Sequence, residues 1–140
     1  MEYEIIDHPA DIGFKVTAPT LKKAFEKAGK ALCSLLLTDF VVAEEEERTF
    51  YICSDDLHSL LYDYLERLLV HFEIDDFIPN DIDLEISKEE DRYGMSGKIA
   101  GFRIDPSRCT RKYEIKAITY HMMKVEHVDG VWIVQAIVDI

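Results

Sequence analysis

The stretch Met122-Met123-Lys124-Val125-Glu126-His127-Val128-Asp129-Gly130-Val131-Trp132-Ile133-Val134-Gln135-Ala136-Ile137-Val138 decides the fold class. Asp129-Gly130 is the strongest short hairpin signal in the chain, because Asp-Gly tolerates the positive φ angles of a tight antiparallel turn. It predicts two paired strands, Met122 to Val128 and Val131 to Val138. The second is apolar on both faces, the pattern of a central strand buried on both sides.

Outward from this hairpin, further strands are expected at Tyr3 to Ile6, Ile12 to Ala18, Tyr93 to Ile104 and Tyr113 to Tyr120. Ile82, Leu84 and Ile86 alternate with acids at period two. Phe40 to Ala43 and Thr49 to Ile52 read as two strands separated by the acidic run Glu44 to Glu47. Two segments have helical period instead. After Thr20, a candidate N-cap, Leu21, Ala24, Phe25, Ala28, Ala31, Leu32, Leu35 and Leu36 recur at steps of three and four. A second helix starts near Ser54 or Asp55 and carries Leu57, Leu60, Leu61, Tyr64, Leu65, Leu68 and Leu69, with Asp55 and Asp56 at its positive end. The expected fold is α+β: two amphipathic helices packed on a largely antiparallel or mixed β-sheet, in one compact domain over residues 1–140.

Composition narrows the function. Of the 140 residues 48% are hydrophobic and 31% charged, which is globular and not disordered. Sixteen bases against 28 acids leave a net charge of −12, unsuited to general nucleic-acid binding, where phosphate contacts need positive surface. The charge is uneven: Glu73 to Asp91 is acidic and Lys98 to Lys116 is basic. The basic segment either faces a phosphate or acidic partner or balances its acidic neighbours as a solvated loop. Cys33, Cys53 and Cys109 form no C-x-x-C pair, which excludes zinc knuckles and thioredoxin-type redox motifs, and Cys33 reads as a small buried hydrophobe. The opening residues lack a signal-peptide pattern and no run approaches a membrane span, so a cytoplasmic protein is expected.

Three places could carry chemistry. In His8-Pro9-Ala10-Asp11-Ile12-Gly13-Phe14, Asp11 sits at the mouth of a strand and Gly13 suggests a close approach; the alternative is a tight turn with Asp11 capping backbone N–H groups. In Val138-Asp139-Ile140 a carboxylate ends an apolar strand, costly unless paired or metal-bound, or else frayed into water. In Lys116-Ala117-Ile118-Thr119-Tyr120-His121, period two puts Lys116, Ile118 and Tyr120 on one face, where the lysine either snorkels to water or pairs with an acid. His58, His71 and His127 read as surface or core-filling residues. No nucleophile elbow, P-loop, dinucleotide fingerprint or H-E-x-x-H is present.

Taken together, these three motifs resemble the archease family, small cofactor proteins of the RtcB-type tRNA-splicing RNA ligase. The resemblance spans essentially the whole chain in order, includes the leucine-rich helix after Ser54-Asp55, and departs at Pro9, where the family pattern has threonine. It implies a protein with no catalysis of its own. Such proteins help load guanylate from GTP onto the ligase's active-site histidine and allow multiple turnover in tRNA splicing. It further implies a divalent metal held by the acids that map to Asp11 and Asp139, and a functional lysine at Lys116. The implied partner is the ligase, with tRNA touched only through it, and no membrane.

Carboxylates with main-chain or terminal oxygens are hard ligands, suited to Ca²⁺ first and to Mg²⁺ or Mn²⁺, and unsuited to selective zinc capture. Val138 and Ile140 share a face, so Asp139 points the other way and Ile140 would reach an ion through main-chain oxygens. The expected ligand set is therefore Asp11, Asp139 and Ile140. Two other function classes compete: a general chaperone or scaffold, and a small metal-dependent phosphoesterase built on Asp11 and Asp139.

Overall fold

The computed structural model describes residues 3–7 and 10–140. They form β1 (Glu4–Asp7), β2 (Asp11–Ala18), α1 (Leu21–Ser34), β3 (Leu37–Ser54), α2 (Leu57–Asp75), β4 (Phe77–Glu89), β5 (Arg92–Arg111), β6 (Ala117–Ile118), β7 (Lys124–Val128) and β8 (Val131–Asp139). All pairing among them is antiparallel, in two separate sheets. One runs β1-β2-β8, with β6 and β7 sharing the far edge of β8; the other runs β3-β5-β4. No helix among the described residues is long and apolar enough to cross a membrane.

The helices lie where both sheets can reach them. α1 touches β2 and β8 of one sheet and β4 of the other, and α2 touches β3, β4 and β5 as well as β6 and β7. That explains why α2 buries Leu60, Leu61, Tyr64, Leu65, Leu68, Leu69 and Phe72 on more than a single stripe. Thr20 caps α1 by accepting the Lys23 N–H at 3.1 Å. α2 starts slightly later than its sequence suggests, at a reciprocal capping box in which the Ser59 N–H donates to Asp56 at 2.7 Å and the Asp56 N–H to Ser59 at 3.2 Å.

α1 also engages one sheet edge at a single residue. Leu84 of β4 is bonded by the α1 pair Lys22 and Glu26: Lys22 Nζ donates to the Leu84 carbonyl at 2.6 Å, and the Leu84 N–H donates to Glu26 at 2.9 Å. Cys33 is buried, and desolvation pushes its thiol up to about 12.

The hairpin forms as expected, with Asp129 and Gly130 at φ 51° and 80°. Two other expectations are corrected. The acidic run does not separate two strands; β3 continues through Glu44 to Glu47, because an exposed strand needs no apolar alternation and Arg48 and Arg103 both bind Glu46. Nor does Tyr113 to Tyr120 form one strand. The Lys112 and Tyr113 N–H groups turn back to the carbonyls of Leu36 and Leu35 at 3.0 and 3.1 Å, and Met122 adopts φ 52°, so only Ala117–Ile118 join the ladder. The basic segment is mostly strand and not loop: β5 lies between acidic β3 and β4, with Lys98 opposite Asp83 and Arg103 opposite Glu44.

A charged node ties the end of α2 to β3. Arg48 binds Glu46, donates to Asp75 at 2.8 Å and to His71 Nδ1 at 3.2 Å, and lies 4.4 Å from the centroid of the Phe77 ring. Burial, reinforced by Arg48 and Arg67, holds His71 below the ordinary imidazole value. Hydrogen bonds from Arg48 hold Glu46 and Asp75 below the usual carboxylate range.

Two predictions follow from this packing. A Cβ on Gly29 would lie 2.1 Å from the Tyr64 hydroxyl oxygen, which is buried and has no hydrogen-bond partner. Gly29→Ala should therefore lower stability by about 1–3 kcal/mol, whereas Tyr64→Phe should leave it unchanged or raise it; denaturant midpoints decide, and an unchanged Gly29→Ala midpoint refutes the contact. For pH, the folded His71 value lies below the unfolded one, so the unfolded chain takes the proton first. Stability should fall as pH drops through about 6.5, and again through about 4 as Glu46 and Asp75 protonate. His71→Gln should erase only the first fall in a pH series of unfolding midpoints.

Candidate metal centre

Asp11 opens β2, Asp139 closes β8, and the ladder sets them directly opposite each other. Such partners have Cβ atoms about 4.5–5.5 Å apart on one face of the sheet. Parity selects the face. Ile12, Phe14, Val16 and Ala18 of β2 join the core with Val134, Ala136 and Val138 of β8. Asp11, Gly13, Ile137 and Asp139 are therefore on the outer face.

Beside the acids that face has an apolar shelf. Ile137 is only 2% exposed yet lies outside the core cluster. Ile6 and Ile137 flank Gly13 on its two sides. A Cβ on Gly13 would lie 2.4 Å from Ile137 Cδ1 and 2.5 Å from the Ala136 oxygen, so the close approach needs glycine. On the same face one carboxylate oxygen of Asp11, Oδ1, is buried without a hydrogen-bond partner among the described residues. Two facing carboxylates, one partly desolvated, repel; a cation between them would remove that cost. Asp139 itself is exposed.

The backbone fixes the surroundings. Ala117 lies opposite Asp139 on the other edge of β8, and the Lys116 N–H donates to the Asp139 carbonyl at 2.8 Å. The Ile140 N–H donates to the Ala10 carbonyl at 3.3 Å, while its side chain packs on the core. Asp11, Asp139, Ile140 and Lys116 thus come together at one end of one sheet. Lys116 is exposed and makes no ion pair among the described residues. Lys116, Ile118 and Tyr120 do not share a strand face, since β6 spans only Ala117–Ile118; Ile118 is buried and Tyr120 is exposed. His8 and Pro9 lie outside the described residues.

Among the described residues no third His, Cys, Asp or Glu joins the two acids. The donor set is two carboxylates with nearby main-chain oxygens, which fits a hard cation such as Ca²⁺, Mg²⁺ or Mn²⁺ and not a selective zinc site.

Sequence reasoning missed two supporting residues. Thr119 Oγ1 donates to the Ile137 carbonyl at 2.7 Å and accepts the His121 N–H at 3.2 Å. Gln135 Nε2, on a side chain only 4% exposed, donates to the Met122 carbonyl at 2.7 Å. Both hold the 119–123 loop on β8. The available signal was Gln135 itself, the one polar residue between Val131 and Val138.

The sequence profile of the Archease protein family (MTH1598/TM1083) matches residues 3–140. The archease of Pyrococcus abyssi is 38% identical over 139 residues, covering 99% of this chain and 98% of that one. The archease of Methanopyrus kandleri is 37% identical over 140 residues, covering 100% of both. A solution structure of a Methanobacterium thermoautotrophicum protein superposes with TM-score 0.84 at 31% identity, covering 99% of this chain and 98% of that one. The fold also resembles a Thermotoga maritima crystal structure described as an archease, possible chaperone, with TM-score 0.63 at 21% identity, covering 96% and 94% of the two chains.

If Asp11 and Asp139 repel when no cation is present, Asp139→Asn should raise the stability of chelator-treated protein, by up to about 1 kcal/mol. Denaturant midpoints measured in chelator test this, and a lowered midpoint would contradict it.

Proposed function

The chain belongs to the archease family, and from that premise we propose that it is a metal-binding accessory factor of an RtcB-type tRNA-splicing RNA ligase. It promotes guanylylation of the ligase with GTP and supports multiple turnover, without catalysis of its own, in the cytoplasm. The single observation that carries the metal-binding part is the pairing of Asp11 with Asp139, with one Asp11 carboxylate oxygen buried and unpartnered among the described residues.

The two carboxylates and a main-chain oxygen of Ile140 would hold a divalent ion, calcium first and magnesium or manganese as alternatives. When bound, the ion supplies positive charge at the rim of the sheet, suited to phosphate oxygens of a nucleotide or RNA. This chain's own residues do the positioning. β2 and β8 fix the spacing of the acids, Gly13 lets Ile137 close over the ladder, and the Lys116 N–H holds the Asp139 main chain. The Lys116 side chain, exposed and without an ion pair among the described residues, would meet an anionic group of the ligase complex at the same end. Contact with tRNA is made through the ligase.

Purified ligase assayed for guanylylation with and without this protein tests the reading. Wild-type protein should stimulate it, and Asp11→Ala, Asp139→Ala and Lys116→Ala should each remove most of the stimulation while unfolding cooperatively. Calcium or manganese titration should show lost binding for the two aspartate variants and retained binding for Lys116→Ala. Full stimulation by all three variants overturns the site. Protection of unrelated clients without ligase stimulation would favour a chaperone, and phosphoester turnover by the protein alone a metal-dependent phosphoesterase.

A further inference from the structure

The two edges of the three-stranded sheet are treated differently. On the β4 side, Lys22 and Glu26 of α1 occupy both backbone groups of Leu84. On the β3 side, among the described residues, no backbone hydrogen bond other than the β5 ladder reaches Glu44 to Ser54. This part of β3 pairs with β5 from Arg103 to Tyr93 without a register break; the irregularities all fall upstream, between Leu37 and Glu44. It contains no proline. The result is a straight open edge about 35 Å long, with alternate N–H and C=O groups pointing away from the sheet. Natural edges of this length are normally bulged, shortened or covered, because an open edge is a template for another strand.

The charges on this edge say which strand. Glu46 is neutralised by Arg48 and Arg103, but Glu44, Glu45 and Glu47 make no ion pair among the described residues. A parallel, in-register second copy of β3 would set these acids opposite one another, and a copy in any register would bring together two chains each at net −12. The same acids that keep copies apart favour a cationic strand.

We infer that the Glu44–Ser54 edge of β3 is a docking surface for an extended lysine- or arginine-rich segment of another protein, which adds to the sheet as a fourth strand. Main-chain hydrogen bonds supply strand addition in general, and side chains at alternate positions supply selectivity. Glu45 and Glu47 share one face of β3, so a partner with basic residues two apart meets both. The inference does not depend on the ligase reading, since it uses the sheet remote in sequence from Asp11 and Asp139.

The test uses the full chain and two synthetic peptides, one alternating lysine with valine and one alternating glutamate with valine. Backbone amide hydrogen exchange is followed along β3. The lysine peptide should slow exchange at alternate amides between Glu44 and Ser54, and added salt should weaken its binding. Glu45→Lys with Glu47→Lys should reduce affinity by about tenfold, two attractive pairs becoming repulsive; Glu45→Gln with Glu47→Gln provides a milder pair with a smaller loss in the same direction. No slowing with the lysine peptide, equal slowing with the glutamate peptide, or unchanged affinity in both variants overturns the inference. So does protection of β3 that rises with protein concentration alone, which would assign the edge to a second copy.

Discussion

β8 is hydrogen-bonded along both edges, to β2 on one side and to β6 and β7 on the other. A strand held on both sides cannot slip by one residue without turning its whole core set to the opposite face. Val134, Ala136 and Val138 are fully buried, so that slip is forbidden, and Asp139 is committed to the outer face. The same ladder commits Asp11. The carboxylate pair is therefore a consequence of core packing and not of any attraction between the acids.

The second sheet handles charge by alternating its strands. β5 carries bases between the acids of β3 and β4, and places Lys98 opposite Asp83 and Arg103 opposite Glu44. Exposed pairs of this kind contribute little each. Their collective effect is to let strongly acidic strands lie about 4.8 Å from a neighbour without net repulsion. Where a charge is partly buried, as at Arg48, it is matched by two carboxylates and an aromatic face. Among the described residues the acids left without an ion pair in this sheet include Glu44, Glu45 and Glu47 on β3 and Glu85 and Glu89 on β4, the two outer strands.

Much of this was legible in the sequence because local chemistry and global position agree. Thr20 caps a helix wherever that helix packs, and Asp129-Gly130 turns a hairpin regardless of its partners. An aspartate after a strand that is apolar but for Gln135 stands out because burial makes it costly. Glu44 to Glu47 misled for the opposite reason: an exposed edge strand has no core face, so period two vanishes although the strand persists. Tyr113 to Tyr120 has strand-like residues, but the Lys112 and Tyr113 N–H groups are claimed by Leu36 and Leu35, and Thr119 reaches Ile137 through its hydroxyl and not through a ladder bond. Periodicity also carries no information on which strand pairs with which. The division into two sheets, and the shelf formed by Ile6, Gly13 and Ile137, lay beyond it.

That shelf bears on how the acid pair can work. Ile137 is almost fully buried on the outer face of the ladder, and on that face one Asp11 carboxylate oxygen is buried without a partner among the described residues. Asp139, one strand away in the same row, is exposed. A ligand reaching this pair thus meets one carboxylate already stripped of part of its hydration and one still in water. Removing water in advance lowers the reorganisation needed on binding, at the cost of repulsion while the pair is empty. The rigid ladder makes that arrangement sustainable, because the ends of β2 and β8 cannot move apart without breaking the Ile140–Ala10 hydrogen bond, while the Lys116–Asp139 bond holds the other edge of β8. The fold thus holds two like charges together that would separate in a flexible loop, which is the physical requirement for a site that selects a cation by charge and spacing rather than by ligand softness.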